Sequence, residues 1–436
     1  MEPAAAVCVM AVAVLLAAAS PAKQGRARLA KRSGVPEFGL LRLPGIYYTH
    51  VTLGNPPIQY SVQFDTGSNP MWVRCSPCTD CSMSGQLDAP LYSPSNSSTS
   101  TNISCSDDIC KDAQKTGHSV CQASETPSNQ CGYSQAYADG TTTEGYYVSD
   151  IMRFDTVMER PVPTDGFMGF GKDAPSVILQ LNSQGVSPKA FSHCLTNSDE
   201  GGGFLVLGEV VEPGLVFTPL VPSQPRYSLN MKSIAVNGKK VHINSSLFTT
   251  SHTQGTFVDS GAPSFYLVDE VYDRLLKAIN HSIPRSAQSY VTNTGTQCYK
   301  VSSTNVSLLP VVTLYFEGGA PMTAGPKNYL VLEGYFDDLE MWRIAFQRSK
   351  DIEGYEHTTV LGDLVLRDKI FVYDLDKMRL GWVDYNCSLL NKTTLVVSVS
   401  GSRRRHALSY FGRLIAIGVA LFNTNIIALT RWLDGY

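Results

Sequence analysis

Two short segments carry residues that can do chemistry: Phe64-Asp65-Thr66-Gly67-Ser68 and Val258-Asp259-Ser260-Gly261-Ala262. Each sets an aspartate behind an apolar residue and ahead of a small hydroxyl residue and a glycine. One such triplet is only a turn. A second element recurs as well, Phe167-Met168-Gly169 and Val360-Leu361-Gly362, two apolar residues and a glycine. Asp65 precedes Gly169 by 104 residues, and Asp259 precedes Gly362 by 103. Paired motifs at matched separation mark an internal repeat, and hence two homologous lobes. If the lobes face each other about a pseudo-twofold axis, the two aspartates meet. Adjacent carboxyls cannot both ionise cheaply, so one pKa rises and the other falls. One ionised and one neutral carboxyl then activate a water and protonate the group opposite. That is hydrolysis by general acid–base catalysis, with no cofactor and no metal.

Such aspartates must sit on tight turns after strands, and the chain supplies them. YYTHVTL, YSVQFDTG, GFLVLGEV, TFVDSG, VVTLYF and KIFVYDL read as strands, rich in Val, Ile, Tyr, Phe and Thr and bounded by Gly, Pro, Asn and Asp. Helical periods are few. One covers residues 268–280, with Val271, Leu275, Leu276 and Ile279 on one face and Asp269 as cap; another covers 176–184 after Pro175. The fold class is mostly β, with short helices. The domain reading is a signal peptide over 1–22, a basic pro-segment or linker over 23–45, an N-terminal lobe over 46–222, a C-terminal lobe over 223–388 and a tail over 389–436. The first lobe holds a Cys-rich insertion at 75–131.

Composition bounds the partners. The 436 residues carry 35 basic and 38 acidic side chains, a net charge of −3 that gives nucleic acid no basic surface to bind. With 43% hydrophobic residues the chain is not disordered. The run AAAVCVMAVAVLLAAA, with Ala17 and Ala19 as a cleavage site, suits a signal-peptide core. Its removal takes Cys8 and leaves ten of eleven cysteines. Seven N-x-[ST] triplets, at Asn96, Asn102, Asn244, Asn280, Asn305, Asn386 and Asn391, fit a lumenal route. The tail reads either as a GPI signal, with small residues at Ser400-Gly401-Ser402, or as a membrane segment over 414–429. Cys75-x-x-Cys78-x-x-Cys81 has zinc or redox spacing, but in a secreted Cys-rich stretch it reads as disulfide. No G-x-S-x-G, H-E-x-x-H or Walker loop occurs.

On the two Asp-[Thr/Ser]-Gly motifs the chain resembles the pepsin-like aspartic proteases over residues 46–387. Trp72 follows the first motif as in that family. Tyr137, in Tyr137-Ala138-Asp139-Gly140, matches the flap tyrosine that closes over substrate and hydrogen-bonds the tryptophan. Gly362-Asp363 ahead of Leu366-Arg367-Asp368 matches the family's C-terminal pattern. The cluster Cys75, Cys78, Cys81, Cys105, Cys110, Cys121 and Cys131, with Phe191-Ser192-His193-Cys194-Leu195, is similar to the nepenthesin-type, atypical plant subgroup. The resemblance implies a bilobal fold with two pseudo-symmetric β lobes. It implies a monomeric endopeptidase, secreted or GPI-anchored, acting on peptide or protein substrates at acidic to near-neutral pH. It also implies the pairs 75–78, 105–131, 110–121 and 194–387, leaving Cys81 and Cys298 unpaired.

Three departures stand out. Ala262 replaces the hydroxyl residue that Ser68 supplies in the first lobe, so Asp259 lacks a donor and its pKa rises. The segment 150–166 is too short for a strand that the subgroup carries, which predicts an unpaired edge and a gap. Trp342-Arg343 stands where relatives have Trp-Cys. These losses keep open an alternative: a catalytically silent binding or inhibitor protein, or a truncated splice product.

Overall fold

The computed structural model describes residues 5–14 and 37–398, apart from 44, 77–89, 122–128, 139, 155–164, 199–201, 252, 294, 353 and 389–395. Cys78, Cys81, Asp139, Asn391, the expected cleavage site and the tail from 399 lie outside these residues. Runs of β-branched and aromatic residues fold as strands. They are β1 (Ala5–Val14), β2 (Glu37–Leu43), β3 (Ile46–Leu53), β4 (Ile58–Asp65), β5 (Met71–Arg74), β6 (Thr101–Asn102), β7 (Gly132–Ala136), β8 (Thr142–Phe154), β9 (Gly166–Gly169), β10 (Ala190–Leu195) and β11 (Gly203–Val206), followed by the strands of the second lobe. One sheet runs through both lobes. Its order is Val216–Pro219, Arg379–Asp384, Lys369–Asp374, β10, β11, β2, β3, β4, β9, β5, β1, β8 and β6, with β7 paired to β8.

The internal repeat is a repeat of pairing. β4 runs parallel to β9, with Asp65 opposite Gly169, and β9 pairs antiparallel with β5. In the second lobe Gly255–Val258 runs parallel to Thr358–Leu361, which pairs antiparallel with Phe265–Leu267. The glycine that ends each apolar pair is fixed by crowding. A Cβ on Gly169 would run into the Asn69 carbonyl, and one on Gly362 into the carbonyls of Ser264 and Ala262. The loop behind each aspartate thus lies directly on that glycine. Beneath both turns is an aromatic floor from the two lobes. Phe191 stacks on Tyr373 with centroids 4.3 Å apart, Phe64 meets Phe170 at 5.3 Å, and the Tyr227 hydroxyl donates to the Phe170 carbonyl at 2.7 Å.

Helices are short: α1 (Asp108–Lys115), α2 (Val177–Ser183), α3 (Asp269–His281) and α4 (Asp363–Leu366). α2 and α3 lie where the periodicity predicts them. Asp269 does not cap α3, however; Val268 holds that position, and the Asp269 carboxylate pairs with Lys350 at 2.9 Å and Arg348 at 3.4 Å. Among the described residues no helix is long and apolar enough to cross a membrane.

The disulfides correct the expected pairing. Cys105 joins Cys121 and Cys110 joins Cys131, with Cα separations of 5.9 and 6.1 Å, in place of 105–131 and 110–121. The cause is α1. It turns Cys110 and Ala113 inward against Trp72, Tyr133 and Tyr147, where Cys131 also lies, while Cys105 stays outside with half-buried Cys121. The sulfurs of Cys105, Cys110 and Cys121 lie within 4.8 Å of one another, but all three are held in these bonds. Cys75 is disulfide-bonded. Cys194–Cys387 forms as expected, and Cys298 is free and buried.

Both segments expected to lie outside the fold contribute strands. Glu37–Leu43, within the stretch read as linker, is β2 and joins β11 to β3. Ala5–Val14, within the stretch read as leader, is β1 and lies between β5 and β8. The unpaired edge expected from the short 150–166 segment is therefore covered.

Candidate active site

Asp65 ends β4 and Asp259 follows the equivalent strand, so the parallel pairing of each lobe brings its aspartate to the same edge. The two turns then grip each other. The Thr66 amide donates to the Ser260 hydroxyl at 3.1 Å, and the Ser260 amide donates to the Thr66 hydroxyl at 2.9 Å. The Ser260 hydroxyl donates onward to the Phe64 carbonyl at 3.2 Å. Gly67 and Gly261 are needed here for room, because a Cβ on Gly67 would strike the Asp259 carboxylate and one on Gly261 the Asp65 carboxylate. Each lobe's glycine thus faces the other lobe's acid. Asp65, Thr66, Gly67, Ser68, Asp259, Ser260 and Gly261 form one cluster.

The acids differ in what supports them. Asp65 accepts the Gly67 amide at 2.8 Å and the Ser68 hydroxyl. Asp259 accepts the Gly261 amide at 2.8 Å, and Ala262 has no hydroxyl to add. Burial lifts both carboxyls above the usual range. For Asp65 the Ser68 hydroxyl and the Gly67 amide pull back toward the ionised form. Asp259 is pushed up to about 7 by burial and by the Asp65 charge, against the Gly261 amide and the Arg226 cation. Asp65 thus has more donors that favour its ionised form than Asp259 has.

Over this pair stands the β7–β8 hairpin. Tyr137 sits at its turn, its amide donating to the Thr141 carbonyl at 2.9 Å, and Gly140 takes the positive φ of +84° that closes the turn. Trp72 Nε1 donates to the Tyr137 hydroxyl at 2.6 Å. Phe167 stacks on Trp72 at 5.2 Å and on Tyr137 at 5.3 Å, so the repeat motif also floors the flap. Desolvation raises the Tyr137 pKa far above ordinary phenol values and keeps it protonated.

Residues outside any motif complete the site. The Arg226 guanidinium lies over Phe257 at 4.8 Å and over Tyr355 at 4.9 Å, and donates to the Tyr355 hydroxyl. His118, from the Cys-rich insertion, contacts Asn69 Nδ2 at 2.8 Å and Gln135 Oε1 at 2.9 Å. It ties the loop after Asp65 to the flap. No sequence signal marks Asn69, Arg226 or His118; Pro263, not Asn, follows the second motif. Asn96, Asn102, Asn244, Asn280 and Asn386 are exposed and Asn305 is half-buried. The Asn280 amide is already engaged, donating to Gln297 at 3.1 Å and accepting from Tyr299 at 2.7 Å.

Two family models match the chain, described as xylanase inhibitor N-terminal over residues 47–209 and xylanase inhibitor C-terminal over 226–384. Aspartic proteinase 36 of Arabidopsis thaliana is 33% identical, covering 79% of this chain and 74% of its own. Aspartic proteinase nepenthesin-2 of Nepenthes gracilis is 27% identical, covering 79% and 78%. Among solved structures, edgp superposes with a TM-score of 0.65 at 18% identity, covering 84% of this chain and 97% of that one. Basic 7S globulin from soybean gives 0.60 at 19%, covering 81% and 97%. The structures carry the fold, and the named proteinases favour an enzyme over the catalytically silent reading. The chain belongs to the plant atypical aspartic protease family, and it is an aspartic endopeptidase.

Proposed function

We propose that Asp65 and Asp259 are the catalytic pair and hydrolyse peptide bonds through a water held between them in the cleft between the lobes. Asp65, ionised, takes a proton from the water as it attacks the scissile carbonyl. Asp259, protonated, gives its proton to the carbonyl oxygen. Asp65 then returns the proton it took to the leaving amine as the C–N bond breaks, while a hydroxyl of the gem-diol intermediate gives its proton back to Asp259, which leaves the carboxylic acid and restores the starting pair. Thr66, Gly67, Ser68, Ser260 and Gly261 hold the acids, while Tyr137, Trp72, Asp139 and Gly140 close the cleft over an extended peptide. The observation that carries this reading is the reciprocal contact of each carboxyl with the other lobe's glycine, combined with unequal donor supply.

The working range follows from the same asymmetry. Activity needs one proton on the pair, so it falls at high pH as Asp259 ionises through about 7, and at low pH as Asp65 takes up a proton. We place the enzyme in the secretory pathway as a monomer, reaching the extracellular space, the cell wall or the plasma membrane, there through a GPI or membrane tail. Exposed sequons and bonded cysteines support that placement.

The test is peptide hydrolysis at pH 4–6, blocked by a statine-type transition-state analogue, in the unsubstituted chain and in Asp65→Asn and Asp259→Asn. Each variant should lose at least ~10³-fold in kcat with folding retained. Unchanged hydrolysis in either one removes that aspartate from the mechanism.

A further inference from the structure

β5 and β8 are neighbours in the first lobe with one strand's width between them. β5 pairs with β9 on its other side, and β8 pairs with β6, β7 and, at its end, β3. β1 fills that width. It runs parallel to β8 along its whole length, from Ala5 opposite Thr143 to Val14 opposite Met152. It runs antiparallel to β5, with Val7, Cys8 and Val9 opposite Arg74, Val73 and Trp72. We infer that Ala5–Val14 is a substitute strand, supplied in cis to a sheet that the chain between β8 and β9 cannot complete.

Chain length gives the first reason. Eleven residues, 155–165, lie between β8 and β9. A strand as long as β1 needs ten residues, and the two connections that lead into and out of it need about 2–6 each. Composition gives the second. The segment AAVCVMAVAV has no charge, Gly, Pro or polar alternation, which is the pattern of a strand covered on both faces. Its place gives the third. Without it, backbone N–H and C=O groups of β5 and β8 would face each other unpaired across an open gap. β5 carries Trp72 and β8 is the return strand of the flap, so the inserted strand braces both partners of the Trp72–Tyr137 hydrogen bond.

The consequence is an exclusion. Cleavage after Ala19 would carry β1 away, so a chain with its leader removed and a chain with a fully paired first lobe are two different molecules. Residues 5–14 thereby act as an internal ligand whose removal opens a strand-shaped slot. This does not rest on the catalytic pair, and its test reads structure only.

The register supplies the experiment. Directly opposed antiparallel residues bring Cα atoms to about 4.5–5.5 Å, within the range that a disulfide spans. In the full chain refolded under oxidising conditions, Val73→Cys should give a cross-link from Cys8 to position 73, detected by peptide mass mapping and absent in the Cys8→Ser double variant. Separately, Val9→Pro removes a ladder donor and should speed amide hydrogen exchange in residues 71–74 and 145–152 at least ~10-fold, leaving 255–258 unchanged. Protection at 255–258 certifies that each variant has folded. A folded Val73→Cys chain with no cross-link to Cys8 overturns the inference, as does unaltered exchange in β5 and β8 of Val9→Pro.

Discussion

Asp65 and Asp259 are the same residue in the same turn, and what separates them is one hydroxyl and one guanidinium. The hydroxyl of Ser68 favours the ionised form of Asp65; at Asp259 its place is taken by Ala262, and the Arg226 cation supplies the remaining pull. Two substitutions should therefore move the alkaline limb of kcat/KM in opposite directions. Ala262→Ser adds a donor to ionised Asp259, lowers its pKa and shifts the limb toward acid by about 0.5–1 pH unit. Arg226→Gln removes a cation, raises that pKa and shifts the limb toward alkali by a similar amount. A pH series on one peptide measures both, and shifts of the same sign would remove the asymmetry from the account. The aspartates, their glycines and the Ser68/Ala262 difference were legible because each lies within a few residues of a repeated motif. Arg226 was not, since the pairing of Tyr227–Leu229 with Gly255–Val258 is what carries it beside Phe257.

At the scale of elements, the Cys-rich insertion serves the flap. His118 bonds Asn69 on the aspartate loop and Gln135 on β7, while Cys110–Cys131 fastens α1 against Tyr133 and Tyr147. Burial lowers the His118 pKa, so the folded state binds fewer protons there than the unfolded chain, whose histidine titrates near the usual 6.5. Its contribution is complete above about 6.5 and is lost as pH falls toward the folded value. His118→Gln should flatten this part of the stability profile between pH 7 and 5, by less than ~1 kcal/mol because the ring is part-exposed. Urea titrations at the two pH values check it; an unchanged difference between variant and parent refutes it. The flap hairpin and its tyrosine were readable from Tyr137 and Gly140. The disulfide pairing was not, since four cysteines allow three pairings and the choice depends on which face of α1 turns inward.

At the scale of the molecule, the strands ending at Asp374 and Asp384 join β10 and β11 in one sheet with the first lobe, and Cys194–Cys387 fastens them there. That bond closes 193 residues of chain. Replacing both cysteines by alanine should cost about 2–4 kcal/mol in urea unfolding while leaving the pH dependence of hydrolysis unchanged, because no acid of the pair touches it. A lost or reshaped pH profile would contradict that separation. Two lobes were legible from the repeat at 104 and 103 residues. A sheet continuous across them was not, because β2 lies in a basic stretch with a linker's composition. The place of β1 adds a matter of timing. Ala5 leaves the ribosome 138 residues before its partner Thr143. At about 5–20 residues per second the segment waits roughly 7–28 s with no strand to join.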